Sequence, residues 1–326
     1  MDVRLLVVSR RRRLEWVSAL TVPGGPMNTL IQQMTVDEYA EARRALGERV
    51  EKHGSTYWVR TKRFFFRPIL PYEAYSIAKP NLPSGHIGGF QCVVSDPKDA
   101  TGVMGFLMLE GAQDYELDKL EHNRRRLIKN AGNQFVIRPI VENTEFKEAG
   151  FRAYCSFYER THYCYKPERT KRENYAKWVD SVLQAPKTLM LGGFDLKGEL
   201  RAVSLSYWVG ATLTYTTFFS DTPTLKQGIG ELMFHALRNA ASHTPGIRDV
   251  FVRYYQGGNG MDHYYLLRGA KLVNKPSRLQ LDPVSRCILR FFFPARYNLL
   301  EEKRRHEEPQ KAGVPTQPQA MRRQVK

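Results

Sequence analysis

The sequence predicts an α/β protein in which mixed β-sheets are flanked by helices. Short segments rich in aromatic and β-branched residues alternate with longer segments whose apolar residues recur every three or four positions. Hydrophobic residues make up 42% of the 326 residues, which is enough for a packed core. A chain of this length corresponds to two domains or one large one.

The first half is predicted to hold two helices and five strands. Thr35 and Glu38 form a capping box, which indicates a helix from there to about Lys52. A second helix is predicted from Tyr115 to Ala131. The proline-rich segment 68–83 is predicted to be a loop, and the strands at 90–95 and 103–109 to pair across the turn at 96–99. The strands are predicted at 57–59, 64–66, 90–95, 103–109 and 135–140.

The second half changes to a more regular alternation. Two aromatic helices come first, at 144–162 and 171–183. A hairpin, a third strand, a glycine-containing turn and a helix follow, and then a strand, a short helix and a last strand. These elements are predicted at 188–194, 200–208, 212–219, 228–242, 249–254, 261–268 and 277–281.

The chain is strongly basic, with a formal net charge of +17. Residues 1–26 hold five basic and two acidic residues, and residues 301–326 hold seven and four, which leaves +11 for 27–300. We expect both terminal segments to be disordered, with Met27 as an alternative start of the folded protein. A basic body favours polyanionic partners such as nucleic acid, a membrane surface or a phosphate-rich cofactor.

Cysteine content and hydropathy restrict the class further. The four cysteines are too few and too scattered for a disulfide framework, and the spacing of Cys155, His162 and Cys164 fits no common zinc pattern. We therefore expect no metal. No apolar run reaches the length of a transmembrane helix, and a reducing cytoplasm is the expected location.

The segment Lys226-Gln227-Gly228-Ile229-Gly230 lies between a predicted strand and a predicted helix. A helix N-terminus presents unpaired N–H groups and a partial positive charge, which suit a phosphate or pyrophosphate. Glycine lets the backbone approach such a group closely, and Lys226 adds a cation. The alternative is an ordinary glycine-containing first turn of a helix.

The order of elements over 188–282, with Gly228 and Gly230 opening the helix after the strand, resembles the GNAT acyltransferases. The resemblance implies a phosphate-bearing acyl donor on the loop 226–230. It also implies an oxyanion held by backbone N–H groups of the preceding strand, near Phe218, Phe219 and Ser220. The family pattern has Arg or Gln at the position of Leu225, so Lys226 or Gln227 would take over that role.

The segment from Asn259 to Gly269 carries the second part of this resemblance. The GNAT pattern of an Asn followed by Tyr-x-x-x-Gly implies that Asn259 contacts the donor. It also implies that Tyr265 protonates the leaving group, a role for which a phenol suits a thiol. Tyr264 is an alternative proton donor, and His263 is a candidate base for the attacking amine.

The first half resembles the Fem-type subgroup, including the acyltransferases described as cellulose-biosynthesis-like, over roughly 55–282. The residues that carry this resemblance are the basic helix 120–131 with Arg124, Arg125 and Lys129, and the strand after it. The resemblance implies two GNAT-like halves, predicted at 27–141 and 142–300. The three basic side chains either contact a polyanionic donor or form a solvated helix face.

These observations lead to the hypothesis of an α/β acyltransferase that moves an acyl or aminoacyl group to an amine by direct attack. The donor is acyl-CoA or aminoacyl-tRNA, and the acceptor is an amine-bearing small molecule or peptide. The high positive charge fits tRNA better than coenzyme A. An aminoacyl-tRNA-dependent amide-forming transferase is the narrower alternative. A non-catalytic protein that binds RNA or a partner, with a degenerate donor loop, is the alternative from another class, and Leu225 is its support.

Overall fold

A computed structural model describes residues 31–62, 64–78, 81–83, 88–161, 166–258, 260–294 and 297. The predicted disordered segments 1–26 and 301–326 lie outside these residues. Within them, the strands are β1 (Gln33–Met34), β2 (Val50–His53), β3 (Thr56–Lys62), β4 (Phe65–Pro68), β5 (Ala74–Tyr75), β6 (Gly89–Val94), β7 (Gly102–Leu109), β8 (Phe135–Pro139), β9 (Leu189–Asp195), β10 (Leu200–Val209), β11 (Thr212–Ser220), β12 (Asp249–Tyr254) and β13 (Lys271–Leu281).

The helices lie between these strands and after the last of them. They are α1 (Val36–Ala45), α2 (His122–Gly132), α3 (Asn143–Thr161), α4 (Arg172–Gln184), α5 (Thr222–Lys226), α6 (Ile229–Ser242), α7 (Gly260–Leu266) and α8 (Pro283–Phe292). The described strands form one mixed sheet in the order β2-β3-β4-β6-β13-β7-β12-β11-β10-β9-β8. β1 pairs with β10 and β5 pairs with β6. The predicted α/β class with a mixed sheet and flanking helices is confirmed.

The last strand joins the first half of the chain. β13 pairs antiparallel with β7 over Lys271–Ser277 and with β6 over Ser277–Leu281. The predicted direct pairing of the strands at 90–95 and 103–109 is therefore wrong, because β13 lies between them. Strands of the first half also join the second half. β8 pairs with β9, and Gln33 of β1 pairs with Trp208 of β10. The division into halves at residue 141 stays a prediction.

Two helices differ from their predicted bounds. The capping box of Thr35 and Glu38 is confirmed, but α1 ends at Ala45 and the chain continues as β2. Gly47 has a left-handed backbone with φ +82, which stops the helix although Val50 keeps the apolar spacing. The helix predicted from Tyr115 begins only at His122, because residues 112–120 form two single 3₁₀ turns.

The elements of the second half agree with the predictions more closely. β9 and β10 form the predicted hairpin, and β11 and β12 have the predicted bounds to within one residue. α6 packs on one face of the sheet through eight buried residues and also contacts α2. α3 and α4 cover the opposite face with an aromatic cluster around Phe146, Tyr175 and Phe219. This packing fixes the first turn of α6 at the end of β11.

Candidate donor site

The sheet opens between β11 and β12. These parallel strands pair only over Thr212–Thr214 and Asp249–Phe251. In the residues that the structure describes, β11 continues for six residues and β12 for three without further pairing between them. The two strands therefore diverge, and main-chain groups of β11 on the side away from β10 face the opening.

A β-bulge lies on β11 at the point where the strands separate. Tyr215 pairs with Ser206 and Thr217 with Leu205, so Thr216 is an extra residue. The hydroxyl of Thr216 donates a hydrogen bond to the carbonyl of Leu205 at 3.0 Å. Sequence reasoning missed this bulge. A bulge redirects the residues that follow it, here those leading to Phe218.

The predicted oxyanion residues end this strand. Phe218 is half-buried, and its ring stacks on Tyr215 with the centroids 6.4 Å apart. Phe219 points to the opposite face and packs edge-on against Tyr154. The side chain of Ser220 is buried, and its carbonyl accepts a hydrogen bond from Arg160 at 3.3 Å. Only the backbone of these residues and the Phe218 ring remain available to a ligand in the opening.

The predicted donor loop joins α5 to α6 beside this opening. Asp221 caps α5 and Lys226 ends it, after which Gly228 has φ +92 and precedes the first residue of α6. Lys226 and Gln227 are exposed, whereas Ile229 is fully buried in the core. The loop thus presents two polar side chains and the backbone of the first turn of α6, and Ile229 could contribute only through its backbone.

The hydroxyl of Tyr264 lies against the first turn of α6. A Cβ placed on Gly230 would be 3.1 Å from the Tyr264 Oη, 3.2 Å from Leu225 Cδ1 and 3.6 Å from Phe218 Cζ. Gly230 is itself buried, so even a methyl group at this position would crowd these side chains. This juxtaposition brings the predicted loop, the end of β11 and one predicted tyrosine into a single site.

A cluster of charged side chains surrounds the Tyr264 ring. The Arg268 guanidinium lies 3.2 Å from the ring centroid and donates to the Tyr264 carbonyl at 2.6 Å. Arg268 and Arg124 both donate to the carboxylate of Glu231, Arg124 at 2.7 Å. Glu231 is in the first turn of α6, where the helix dipole also stabilises its negative charge. Two cations and one anion leave this cluster with one net positive charge.

Burial raises the pKa of the Tyr264 phenol above its usual range, and the nearby Arg268 opposes this only in part. The phenol is therefore protonated at neutral pH and has a proton to donate.

The other predicted catalytic residues lie apart from the loop. Tyr265 is buried in the core and contacts the rings of Tyr215, Phe234 and Tyr264. Burial also raises the pKa of its phenol. His263 is exposed on α7. Asn259 lies outside the described residues. The catalytic roles predicted for Tyr265 and His263 stay predictions.

Asp262 organises the segment that carries Tyr264, and sequence reasoning missed it. Its carboxylate is fully buried and accepts the backbone N–H groups of Gln256 at 2.8 Å and Gly258 at 3.0 Å. The Arg253 Nε lies 3.6 Å from the Asp262 Oδ1. The available signal was an aspartate shortly after a glycine-rich turn, a position where carboxylates commonly accept loop N–H groups.

The three basic residues of α2 do not share one environment. Arg124 turns toward α6, where it binds Glu231, and its side chain is 20% exposed. Arg125 is half-buried and Lys129 is exposed. The backbone of α2 borders the donor loop, because a Cβ on Gly228 would be 3.4 Å from Ala131 Cβ. Arg125 and Lys129 lie on the same helix, and their role in polyanion binding stays a prediction.

The structure bears on the expectations about metal and membrane only for the residues that it describes. Among them no group of three His, Cys, Asp or Glu residues has the arrangement of a metal site. His162 and Cys164 lie outside them, and burial raises the pKa of the Cys155 thiol. A search of the helices in this part of the chain found none with the length and apolar character needed to cross a membrane.

Comparison with solved structures places this geometry in a known fold. FemX superposes with a TM-score of 0.53 at 9% identity, over 87% of this chain and 98% of FemX. The C-terminal domain of a putative lysylphosphatidylglycerol synthetase from Agrobacterium fabrum superposes with a TM-score of 0.51 at 10% identity, over 81% of this chain and 95% of that domain. No protein-family model and no curated protein matches the sequence. The chain has a Fem-type, GNAT-like fold.

Proposed function

We propose that the protein is an acyltransferase whose phosphate-bearing donor binds where β11 and β12 separate. The observation that carries this proposal is the meeting of three features: the edge of β11 that does not pair with β12, the glycine turn that opens α6, and the Tyr264 hydroxyl beside Gly230. The first supplies hydrogen-bond donors for a carbonyl oxygen, the second binds phosphate, and the third supplies a proton.

The reaction is a direct attack of an amine on the acyl carbonyl. N–H groups of β11 near Phe218 stabilise the oxyanion that forms. The new C–N bond replaces the C–S or C–O bond to the carrier, and the leaving thiolate or alkoxide takes a proton from Tyr264. The amine releases one proton to solvent, and the Tyr264 phenolate takes one back from solvent, so the step is balanced. Positioning of the amine and the acyl group in the opening supplies much of the rate. We propose an amine-bearing small molecule or peptide as acceptor.

We propose aminoacyl-tRNA as the donor in preference to acyl-CoA. The net charge of +17 exceeds what a small cofactor requires, and α2, which carries half-buried Arg125 and exposed Lys129, packs against α6. Contacts with an RNA backbone use such extended basic surfaces. The resemblance to Fem-type enzymes implies the same donor, since these take aminoacyl groups from charged tRNA.

The test supplies each donor separately. Binding of acetyl-CoA is measured by calorimetry and binding of mixed aminoacyl-tRNA by filter retention, for the wild type and for Tyr264→Phe. We expect the variant to bind donor like the wild type and to transfer the acyl group to added amines at least about a hundredfold more slowly, the usual contribution of a general acid. Tyr158→Phe on α3 is the matched control. Equal transfer by wild type and Tyr264→Phe would remove Tyr264 from the mechanism.

A non-catalytic RNA- or partner-binding protein is the second candidate, and Leu225 supports it. The Leu225 side chain lies 3.2 Å from the position of a Cβ on Gly230. An apolar side chain thus occupies the loop where the GNAT pattern has Arg or Gln. Retention of RNA without transfer from any acyl donor to a panel of amines would favour this candidate.

A further inference from the structure

An exposed amphipathic helix follows the last strand. Val284, Ile288 and Phe291 recur at steps of four and three along α8, so they form one stripe. Phe291 and Phe292 are 75% and 74% exposed, and no residue of α8 is buried. Scattered exposed apolar residues are common, but a contiguous stripe with adjacent phenylalanines marks an interaction surface.

The start of α8 is fastened to the body of the protein. Asp282 caps the helix by accepting the backbone N–H of Ser285 at 3.0 Å. Gly88 donates its N–H to the Ser285 hydroxyl at 2.9 Å and to the Asp282 carboxylate, and the Asp282 N–H donates to the Gly88 carbonyl at 3.0 Å. The helix therefore has a defined attachment, and its apolar stripe is presented from a folded base.

The charged residues of α8 have one sign. Arg286 and Arg290 are one turn apart on the side of α8 away from the stripe. From residue 283 to 300 the sequence contains three arginines and no acidic residue, and Glu301 and Glu302 come only after this segment. A basic face beside an apolar, phenylalanine-containing face is the pattern of a helix that lies in the interface of an anionic membrane.

We propose that α8 docks the protein on an anionic lipid surface, with Val284, Ile288 and Phe291 among the acyl chains and Arg286 and Arg290 at the lipid phosphates. The apolar stripe gives the binding energy, and the arginines give the preference for anionic lipid. This inference is independent of the proposed donor site. α8 follows Leu281, the last residue of β13, which is about 27 Å along that strand from Val273. Val273 is level with Tyr254 at the end of β12, because both residues pair with Phe106.

The test uses the full chain and vesicles of phosphatidylcholine, alone or mixed with phosphatidylglycerol. We expect the wild type to sediment with the mixed vesicles and to remain in solution with phosphatidylcholine alone. Ile288→Ser with Phe291→Ser should weaken sedimentation by at least about tenfold, since each residue loses its buried apolar area. Leu196→Ser removes an apolar side chain in the β9–β10 turn that is as exposed as Phe291, and this control should bind like the wild type.

A second pair of changes separates charge from hydrophobicity. Arg286→Gln with Arg290→Gln should reduce the preference for phosphatidylglycerol and its dependence on salt. Wild-type protein that fails to sediment with mixed vesicles, or stripe variants that sediment as well as the wild type, would overturn the proposal. So would light scattering that shows a dimer in the wild type and a monomer in the stripe variants, because a second copy would then cover α8.

Discussion

Replacement of Gly230 by alanine tests the donor site with a single methyl group. The added Cβ would lie 3.1 Å from the Tyr264 hydroxyl and 3.2 Å from Leu225 Cδ1, closer than ordinary contact. Overpacking of this kind costs about 1–3 kcal/mol of folding stability. Alanine in a helix recovers about 0.5–1 kcal/mol relative to glycine. The net loss of stability should therefore be at most about 2.5 kcal/mol, and the protein should remain folded.

Donor affinity should respond more strongly than stability. The methyl group would push aside the Tyr264 hydroxyl or the Leu225 side chain at the proposed donor site, so we expect affinity to fall at least tenfold, about 1.4 kcal/mol. Calorimetry with acetyl-CoA and filter binding with aminoacyl-tRNA measure the affinity, and thermal unfolding measures the stability. Gly132→Ala at the end of α2 is the control, because its Cβ would meet only Leu232 at 4.0 Å. Unchanged donor affinity in Gly230→Ala would refute the phosphate-binding role of this turn.

Gly228 is a less informative position for the same experiment. Its φ of +92 is one that side chains with a Cβ rarely adopt, so Gly228→Val would strain the backbone whatever binds there. We still expect Gly228→Val to lose donor binding, but the strain accounts for part of that loss. The alanine at 230 separates the two effects.

Three further predictions concern the surroundings of the loop. Arg125→Gln with Lys129→Gln should lower the slope of log affinity for tRNA against log salt by roughly 1.5 units with an unchanged melting temperature, and an identical slope would mean that this surface is only solvated. Tyr264→Phe should slow acyl transfer more than Tyr265→Phe does. Because Tyr265 is buried in the core, Tyr265→Phe should mainly lower stability. If Tyr265→Phe instead slowed transfer more, Tyr265 would be the proton donor. Burial lowers the pKa of His235 to about 4, so its folded form binds a proton less readily than its unfolded form. Stability should therefore fall by about 2 kcal/mol from pH 7 to pH 5, and urea unfolding of His235→Asn should show a loss smaller by that amount.

Local patterns in the sequence predicted the local parts of the fold. The capping box at Thr35 and the glycine turn at Gly228 are visible because the residues that make them are neighbours in the chain. The hairpin of β9 and β10 follows from the alternation of apolar residues around a turn. These features need no knowledge of the rest of the molecule.

Long-range pairing was not predictable in the same way. β13 inserts between β6 and β7 although 161 residues separate Leu109 from Lys271, and nothing local indicates that register. The sequence alone gives Arg124 as one of several basic residues on a helix. Only the fold shows that its Nη1 donates to the Glu231 Oε1 of α6 at 2.7 Å. The bulge at Thr216 left a weak signal, since Tyr215 and Phe218 share a face at a step of three in place of two.

Hydrogen exchange with and without donor tests the central claim most directly. The wild-type protein is saturated in turn with acetyl-CoA and with aminoacyl-tRNA, and deuterium uptake is followed by mass spectrometry of peptides. We predict slower exchange at Lys226–Glu231, which is the donor loop with the start of α6, and at Thr216–Ser220, the end of β11 that does not pair with β12. Aminoacyl-tRNA should add protection along α2 that acetyl-CoA does not. Saturation by either donor with no change in exchange at both of these segments would contradict the proposed site.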